Sequence, residues 1–494
     1  MLVDQLLAAN DRFGAVLAID DGFRSLTYRQ VTALASVMRD VIDRRTTCPR
    51  VGILLPSGGA FAMTCFGALW ASRVAVPLNL LLSAEELRGI VEDAGLDAII
   101  TVRHFAETVE QMPARAIYLE DLPLKRKVFM KLMSRPPAAP RVEPDDVAVI
   151  LYTSGTTGRP KGVQLSYGNL HSNCVDSMAS LNLDQHHRFL NVLPPFHVFG
   201  LTGLVLMPIH LGATVHAIPR FNPLHAIKSI AEKQITLVVA IPSMYAAMLK
   251  AKSATPEMFR SVQLAISGGE PLPDSVARGF QERFGVTLRQ GYGLTETSPV
   301  VAVCTEDATR DGTVGRPIRN VRVSIVAADG RHCGPGEDGE IVIHGPGVMK
   351  GYYNQPEETR AVIDEDGGFH TGDMGRLDDH GFLTISGRIK EMLIVGGENV
   401  YPREIEAVLE EHADVVQAAV IGVQDESRGE VPIAFVICRD GAQVDEAALR
   451  QFARQSLAGF KVPRQIRIES DLPTGPTGKI LKRRLKEMVA VASA

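Results

Sequence analysis

The sequence is poor in cysteine and carries little net charge, and each shortage argues against a class of protein. Its six cysteines form no CxxC pair, and none has the spacing to a histidine that a zinc site would show. Scattered thiols of this kind are typical of a reducing compartment. The formal net charge of −5 over 494 residues does not suggest a nucleic-acid-binding protein.

The N-terminal segment also lacks the features of a signal peptide. It carries Asp4 and has no basic stretch ahead of an apolar one. Together with the scattered thiols, this predicts a cytoplasmic protein.

Residues 189–219 form the longest run without Arg, Lys, Asp or Glu. A membrane span needs ~20 apolar residues, so the run is long enough to be considered as one. However, Pro194, Pro195 and Pro208, several glycines and three histidines interrupt it. We therefore expect a buried core segment that lines a pocket.

The rest of the composition is that of an ordinary soluble protein, with 45% hydrophobic and 22% charged residues. Residues 50–102 show a βαβ pattern, with strands expected at 51–55, 74–77 and 98–102. Ser83 and Glu86 have the spacing of a capping box at a helix start. Alternating strands and helices predict a large N-terminal α/β domain, with parallel sheets and flanking helices.

Residues 120–146 break this pattern, because the segment is first basic and then rich in proline. The simpler interpretation is a surface helix followed by a linker. The alternative is that residues 124–135 present a basic amphipathic face to a membrane surface or an acidic partner.

Near residue 388 the pattern changes to that of a smaller α+β unit. Pro402 suits the first turn of a helix. Strands are expected at 415–421, 431–437 and 464–468, with a helix at 445–457. We therefore predict an N-terminal domain over residues 1–388 and a C-terminal domain over residues 389–494.

Three strand-like segments, 148–152, 264–266 and 287–290, each lead into a loop of glycine and hydroxyl residues. Ligands collect at the carboxyl ends of strands in open α/β sheets, so the three loops predict one shared site. The first loop, TSGTTGRPKG at 153–162, offers backbone N–H groups, hydroxyls and Lys161 to a polyphosphate. It is not a Walker A loop, because Gly162 and not Ser or Thr follows the lysine.

A second candidate motif is QGYGLTET at 290–297. Tyr292 offers a flat ring to a nucleobase, and Glu296 is a hard oxygen ligand that suits Mg²⁺ beside phosphates. The motif lacks the third glycine of a dinucleotide-binding fingerprint. Taken alone, either loop is equally well explained as a structural turn.

Together with HTGD at 370–373, GRIKE at 387–391 and PTGKIL at 476–481, these motifs resemble the adenylate-forming superfamily. That family includes acyl-CoA synthetases, adenylation domains of peptide synthetases and luciferases. The motifs follow the family's order over nearly the whole chain. The resemblance implies a large α/β domain with a small mobile α+β C-terminal domain. It also implies activation of a carboxylic acid as an acyl-adenylate, with ATP as substrate and Mg²⁺ as cofactor.

The resemblance implies an ATP site assembled from four segments. The phosphate contacts are Thr153, Ser154, Gly155, Thr156, Thr157 and Lys161. The adenine contacts are Gly269, Glu270, Pro271, Gln290, Gly291 and Tyr292. Thr295 matches a contact to the α-phosphate, Asp373 and Arg388 match the ribose contacts, and Thr153 and Glu296 match the metal site. Taken singly, Asp373 is also explained as a turn residue, and Arg388 as a surface ion-pair partner.

The C-terminal motifs imply a division of labour between two half-reactions. Lys479 matches the lysine of the adenylation step and Lys390 the hinge, about which the small domain rotates to admit a thiol. Gly396, Gly397 and Lys461 match the thiol tunnel, and Lys461 in FKVP suits a phosphate of coenzyme A. Taken alone, Lys479 also fits a solvated basic run.

The segment PPFHVFG at 194–200 resembles the family's aromatic motif. His197 stands where amino-acid-activating domains place an aspartate, which argues against an amino acid substrate; the alternative is a packed core histidine. We assign the acyl pocket to His197, Val198, Gly200, Leu201, Met244 and Val300, and count His197 with Lys479, Glu296 and Thr295 as catalytic. A medium- or long-chain fatty acid or another apolar acid is favoured, with an aryl acid as an alternative.

The expected activity is therefore that of an acyl-CoA synthetase, with coenzyme A as the thiol. Two alternatives stay open, a free-standing ligase that loads an acyl or peptidyl carrier protein and a luciferase-like oxygenase. The sequence is compatible with a monomer and with a homodimer.

Overall fold

The computed structural model describes residues 1–153, 160–396, 398–425, 429–439, 441–474 and 480–492. Its α-helices, in chain order, are α1 Leu2–Phe13, α2 Tyr28–Arg45, α3 Gly59–Trp70, α4 Ala84–Asp93, α5 Ala106–Val109, α6 Leu124–Leu132, α7 Tyr167–Ser180, α8 Val198–Leu201, α9 Met207–Leu211, α10 Pro223–Lys233, α11 Pro242–Lys250, α12 Asp274–Phe284, α13 Pro356–Arg360, α14 Pro402–Glu410, α15 Glu446–Ser456 and α16 Lys482–Ala492.

The strands lie in four sheets. In chain order they are β1 Leu17–Asp20, β2 Ser25–Thr27, β3 Arg50–Leu54, β4 Val74–Pro77, β5 Ala98–Thr101, β6 Arg115–Tyr118, β7 Val147–Thr153, β8 Lys161–Ser166, β9 Arg188–Asn191, β10 Thr214–Ala217, β11 Leu237–Ala240, β12 Leu264–Ser267, β13 Leu288–Gly293, β14 Val300–Val303, β15 Arg316–Pro317, β16 Arg322–Val326, β17 Gly339–His344, β18 Gly351–Tyr352, β19 Phe369–Leu377, β20 Leu383–Arg388, β21 Leu393–Val395, β22 Glu398–Val400, β23 Val415–Asp425, β24 Gly429–Cys438 and β25 Gln465–Glu469.

The first large sheet has the order β18-β8-β7-β4-β3-β5-β6. Its strands β7, β4, β3, β5 and β6 are parallel, which confirms the βαβ interpretation of residues 50–102. At its other edge β8 and β18 add antiparallel strands. The central strands are buried along almost their whole length, as expected for a sheet with helices on both faces.

The second large sheet has the order β15-β14-β13-β12-β11-β9-β10-β1-β2. The strands from β13 to β1 in this order are parallel, and antiparallel strands close both edges. The predicted strands at 264–266 and 287–290 are therefore neighbours, as β12 and β13. The strand predicted at 148–152 is β7 and belongs to the first sheet. The first loop and the other two loops therefore follow strands of different sheets.

A third sheet, β16-β17-β19-β20, is antiparallel throughout and was not expected from the sequence. It lies between the second large sheet and the C-terminal unit in the chain, and it carries both the HTGD and the GRIKE motifs. Its last strand ends at Arg388, where the sequence predicts the domain boundary.

The C-terminal sheet has the order β22-β21-β24-β23, with β25 parallel to β24. The strands and helices predicted in this unit are all present, and α15 begins after Asp445, which accepts a hydrogen bond from the amide of Ala448. The small α+β unit is therefore confirmed.

The uncharged run at 189–219 folds as β9, α8, a π-helical segment at Thr202–Leu206, α9 and β10. Most of its side chains are buried in the cores between the helices and the second sheet. Among the described residues, none of the helices combines the length and the apolar character that a membrane crossing requires.

The capping box at Ser83 and Glu86 is confirmed at the start of α4. The Ser83 amide donates to Glu86 Oε2 over 2.8 Å, and the Glu86 amide donates to Ser83 Oγ over 3.3 Å. The Ser83→Ala substitution removes one of these acceptors, so we expect it to lower the free energy of unfolding by about 1 kcal/mol.

Urea titration followed by circular dichroism measures this loss. Ser253→Ala changes an exposed serine in a turn and serves as the matched control. Equal midpoints for the two variants would show that the cap does not stabilise α4.

Candidate functional site

Asp373, Arg388 and Tyr292 meet at one point of the structure, although they come from three motifs. Asp373 on β19 pairs with Arg388 on β20, and the Arg388 Nε lies 2.9 Å from Asp373 Oδ1. The Tyr292 hydroxyl donates to Asp373 Oδ2 over 2.7 Å. Burial, and then the neighbouring Asp373 carboxylate, raise the pKa of Tyr292 well above its usual value, so this hydroxyl stays a donor. The predicted ribose contacts are therefore assembled beside the predicted adenine contact.

The two adenine segments also lie against each other. A Cβ added to Gly268 would lie 3.4 Å from the Gly291 carbonyl oxygen and 3.2 Å from the Phe199 ring. Ser267 pairs with Gln290 on the adjacent strand. Gly269 has a φ of +82°, a left-handed conformation that favours glycine where the chain turns towards Glu270 and Pro271. Because these two backbones lie close together, the space beside them is narrow and suits a flat ring.

Glu296, the predicted metal ligand, is hydrogen-bonded to Tyr352. The Tyr352 hydroxyl donates to Glu296 Oε1 over 2.9 Å. The ammonium of Lys161 lies 4.8 Å from the centre of the Tyr352 ring, within range of a cation–π contact. Burial raises the pKa of Glu296 above its usual value, and the hydrogen bond from Tyr352 opposes that effect. Tyr352 thus links the phosphate loop to the carboxylate.

This contact explains how the first loop reaches the site from another sheet. Thr153 and Lys161 are paired at the ends of β7 and β8, and β8 pairs with β18, which carries Tyr352. The amide of Met349 donates to the Glu296 carbonyl over 2.8 Å, so the chain before β18 is held against the segment of Thr295 and Glu296. Four predicted phosphate contacts, Ser154, Gly155, Thr156 and Thr157, lie outside the described residues.

The donor set fits a magnesium ion bound together with a nucleotide. Mg²⁺ in such sites is held by one or two protein oxygens, and the phosphates supply other ligands. Glu296 provides a carboxylate for that arrangement, and Thr153, at the end of β7, provides a hydroxyl. The described residues contain no cluster of three or more His, Cys, Asp or Glu side chains that could hold a metal without a nucleotide.

The predicted hinge, Lys390, lies in a short 3₁₀ helix, Ile389–Glu391, between β20 and β21. Its neighbour Glu391 binds the ammonium of Lys482 over 2.6 Å, and Glu406 binds the same ammonium over 2.9 Å. Burial lowers the pKa of Lys482, but Glu406 and Glu391 outweigh this effect and hold it above its usual value. This bridge joins the end of the hinge segment to α14 and α16. Lys479 lies outside the described residues.

The predicted thiol-tunnel residues are partly described. Gly396 is exposed and has a φ of +62°, whereas Gly397 lies outside the described part of the chain. The Lys461 ammonium is bound by both oxygens of Glu404, over 2.6 and 2.8 Å. A phosphate contact by Lys461 would therefore have to compete with Glu404 or share the lysine with it.

The predicted acyl residues fall into two groups by burial. Val198, Gly200 and Leu201 are buried in α8, whereas His197, Met244 and Val300 are partly exposed. A Cβ on Gly200 would lie 2.2 Å from the Pro194 carbonyl oxygen, so only glycine fits the turn of PPFHVFG. Leu201 is fully buried and packs in the core with α1 and α3.

The sequence analysis did not identify Tyr352. It lies in GYYNQPEE at 351–358, a segment that contains β18 and the first residues of the proline-started helix α13. Nothing in that local pattern shows that β18 pairs with β8, and only this pairing brings the ring to Lys161.

We expect the Tyr352→Phe substitution to reduce kcat/KM for adenylation about ten-fold, because a hydrogen bond to a charged group is lost while the ring under Lys161 remains. We expect the reduction in kcat/KM relative to the wild type to be greater at low Mg²⁺ concentrations. Titration of Mg²⁺ in an ATP–pyrophosphate exchange assay measures both effects.

Tyr353→Phe is the matched control, because it removes the next hydroxyl in the chain and leaves the bond between Tyr352 and Glu296 in place. If both variants keep the wild-type Mg²⁺ dependence, Tyr352 does not position Glu296.

The comparisons with known proteins agree with this geometry. The model of the AMP-binding enzyme family matches residues 7–353, and that of the AMP-binding enzyme C-terminal domain matches residues 404–479. A feruloyl-CoA synthase of Amycolatopsis sp. is 37% identical over 472 residues, with 94% of each chain covered. A long-chain-fatty-acid–CoA ligase of Bacillus subtilis is 35% identical over 478 residues, covering 89% of this chain and 85% of that one.

Solved structures give the same result. The O-succinylbenzoate coenzyme A synthetase MenE of Bacillus subtilis, in complex with ATP and magnesium ion, superposes with a TM-score of 0.84 at 29% identity, covering 98% of this chain and 99% of that chain. The fold and the site thus define an enzyme that activates acids with ATP.

The chain belongs to the AMP-binding enzyme family. Within it, the protein is an AMP-forming CoA ligase, for which ATP and coenzyme A are substrates and Mg²⁺ is the cofactor. The resemblance seen in the sequence motifs is confirmed.

Proposed function

We propose that this CoA ligase activates an apolar carboxylic acid that has no α-amino group, with a fatty acid as the first candidate. The observation that carries the proposal is the set of side chains at the acyl site. Val198, Met244 and Val300 are apolar, and His197 stands at the start of α8, where an amino acid substrate would need a carboxylate. One relative is named for a long-chain fatty acid, which supports this class, and another is named for feruloyl-CoA, which supports an aryl acid as the second candidate.

The neighbouring backbone also supports an acyl site here. Thr202–Leu206 is a π-helical segment directly after α8, and such segments are frequent at functional sites. The carbonyl of Leu204 accepts a hydrogen bond from Asn191 Nδ2 over 3.3 Å, so part of the segment is tied to the end of β9.

In the proposed reaction, the substrate carboxylate attacks the α-phosphorus of ATP and pyrophosphate leaves. Asp373 accepts the ribose hydroxyls and fixes the sugar, and Tyr292 and Arg388 hold that carboxylate in place. Thr295 contacts the α-phosphate, and Lys479 offsets the charge that develops on the α-phosphoryl and carboxylate oxygens. Mg²⁺, when bound at Glu296, neutralises charge on the phosphates. Rotation about Lys390 then admits coenzyme A past Gly396 and Gly397.

ATP–pyrophosphate exchange over a series of acids tests the substrate class. We expect exchange with fatty acids to rise with chain length to an optimum, and none with the matching α-amino acids. An aryl acid such as ferulate tests the second candidate, which the 37% identity to the feruloyl-CoA synthase favours. Exchange that is as fast with α-amino acids as with fatty acids would contradict the proposal.

A pair of methionine variants tests the position of the pocket. Met244 follows β11 at the carboxyl end of the sheet, whereas Met258 precedes β12 at its amino end. We expect Met244→Ala to move the optimum towards longer or bulkier acids, and Met258→Ala to leave it unchanged. A shift of equal size in both variants would show a general loss of packing.

A further inference from the structure

A cationic and apolar face on α6 is not used by the site described above. Residues 124–135 contain five basic side chains and no acidic one. Among the large apolar side chains here, Phe129 is 66% exposed, Met130 58% and Met133 76%. The spacing of 129, 130 and 133 places these three on one side of the helix.

The opposite side of α6 is anchored to the protein. Leu124 and Val128 pack against the hydrophobic core that includes buried residues of α1, α2 and α3. The Lys131 ammonium lies 2.8 Å from Asp40 on α2. Beyond the helix, the Trp70 indole donates to the Ala138 carbonyl over 2.9 Å. The helix is therefore fixed on the surface with its exposed apolar side turned outward.

Basic residues border the apolar side chains. Lys125, Arg126 and Arg135 are exposed. The nearby acidic residues Glu120 and Asp121 both contact Arg103. The Arg103 guanidinium pairs with Asp121 over 2.6 Å, and the Arg103 amide donates to Glu120. The whole chain is acidic, with a net charge of −5, so this cationic patch is a local feature.

We propose that this face, made of Lys125, Arg126, Phe129, Met130, Met133 and Arg135, docks on an anionic lipid bilayer. The three apolar side chains enter the boundary between head groups and acyl chains, and the basic residues meet lipid phosphates. A basic helix with exposed aromatic and aliphatic residues has the chemistry of an interfacial helix. A partner protein with an acidic surface would match the charges, but it would leave the exposed methionines and Phe129 in water unless it also offered an apolar groove.

Co-sedimentation of the full chain with vesicles tests the proposal. We expect binding to vesicles of about one-third phosphatidylglycerol in phosphatidylcholine and little binding to pure phosphatidylcholine, because an anionic surface attracts basic side chains. Raising the salt concentration should weaken the binding, because surface charges are screened. Equal binding to both vesicle types, or none to either, would overturn the proposal.

Two variants assign the binding to α6. Lys125→Gln with Arg126→Gln should weaken binding about 25-fold, at about five-fold for each basic residue near a charged surface. Phe129→Ser with Met133→Ser should weaken it by about ten-fold or more, since apolar burial is lost. The matched controls are Lys252→Gln and Leu224→Ser, which alter an exposed lysine and an exposed leucine outside this face.

All four variants should keep wild-type ATP–pyrophosphate exchange without vesicles, because none of these residues lies in the ATP or acyl site. Wild-type vesicle binding by the α6 variants would overturn the assignment. Retention of the protein on immobilised poly-glutamate, together with no binding to anionic vesicles, would instead indicate an acidic protein partner.

Discussion

The Lys479→Ala variant is expected to lose acyl-adenylate formation by about 10³-fold while it still transfers the acyl group from supplied acyl-adenylate to coenzyme A. The ammonium of Lys479 is proposed to act only while charge develops at the α-phosphorus. In the proposed mechanism the thiol attacks only after the small domain has rotated and carried this lysine out of the cleft. Pyrophosphate exchange measures the first half-reaction, and thioester formation from synthetic acyl-adenylate measures the second.

Lys486→Ala is the matched control. It removes an exposed lysine of α16 that belongs to the same basic stretch of the sequence. Lys479→Arg extends the test, since a guanidinium is planar and bulky where a compact charge is needed, and we expect it to restore little activity. Loss of both half-reactions to the same extent in Lys479→Ala would contradict the division of labour.

The second large effect is expected from Asp373→Asn, which should reduce kcat/KM for ATP about 10²- to 10³-fold. Hydrogen bonds to a charged group contribute about 1.5–3 kcal/mol each, and the carboxylate is proposed to accept two from the ribose. The oxygen of the asparagine side chain can still accept one of these bonds, as a neutral group, so part of the contribution is kept. The variant also leaves the Arg388 guanidinium beside a neutral amide. We expect the effect mainly in KM for ATP, as measured by initial rates over a range of ATP concentrations.

Asp379→Asn provides the control, since Asp379 is exposed in the turn between β19 and β20. Comparison of ATP with 2′-deoxy-ATP tests whether Asp373 acts by binding the ribose hydroxyls. The wild-type enzyme should lose activity with the deoxy nucleotide, and the variant should discriminate less. Undiminished discrimination by Asp373→Asn would show that this carboxylate does not bind the ribose.

The sequence predicted local elements well where each element is set by its own residues. The capping box at Ser83, the proline-started helix at Pro402 and the buried runs of β5 and β7 depend on residues a few positions apart. Helix caps and buried strands are determined at that scale, so no distant contact was needed to find them.

The third sheet was missed for the opposite reason. Strands β16, β17, β19 and β20 are each stabilised by an antiparallel partner, and β18 and α13 lie between β17 and β19 in the chain. The pairing of Asp373 with Arg388 is therefore invisible in the sequence, although both motifs were recognised. The sheet that β7 joins was not predicted either, because a strand's local pattern does not say which sheet it joins.

By itself, the sequence determined the class of chemistry, because its motifs match those of the adenylate-forming family and predict a phosphate loop, a magnesium carboxylate, a ribose carboxylate and an adenylation lysine. Only the tertiary structure decided which groups meet. Tyr352 reaches Glu296 and Lys161 because β18 pairs with β8, and Tyr292 on β13 reaches Asp373 on β19 because the second and third sheets come into contact there. Such contacts join residues far apart in the chain, and only strand pairing and the packing of sheets bring them within bonding distance.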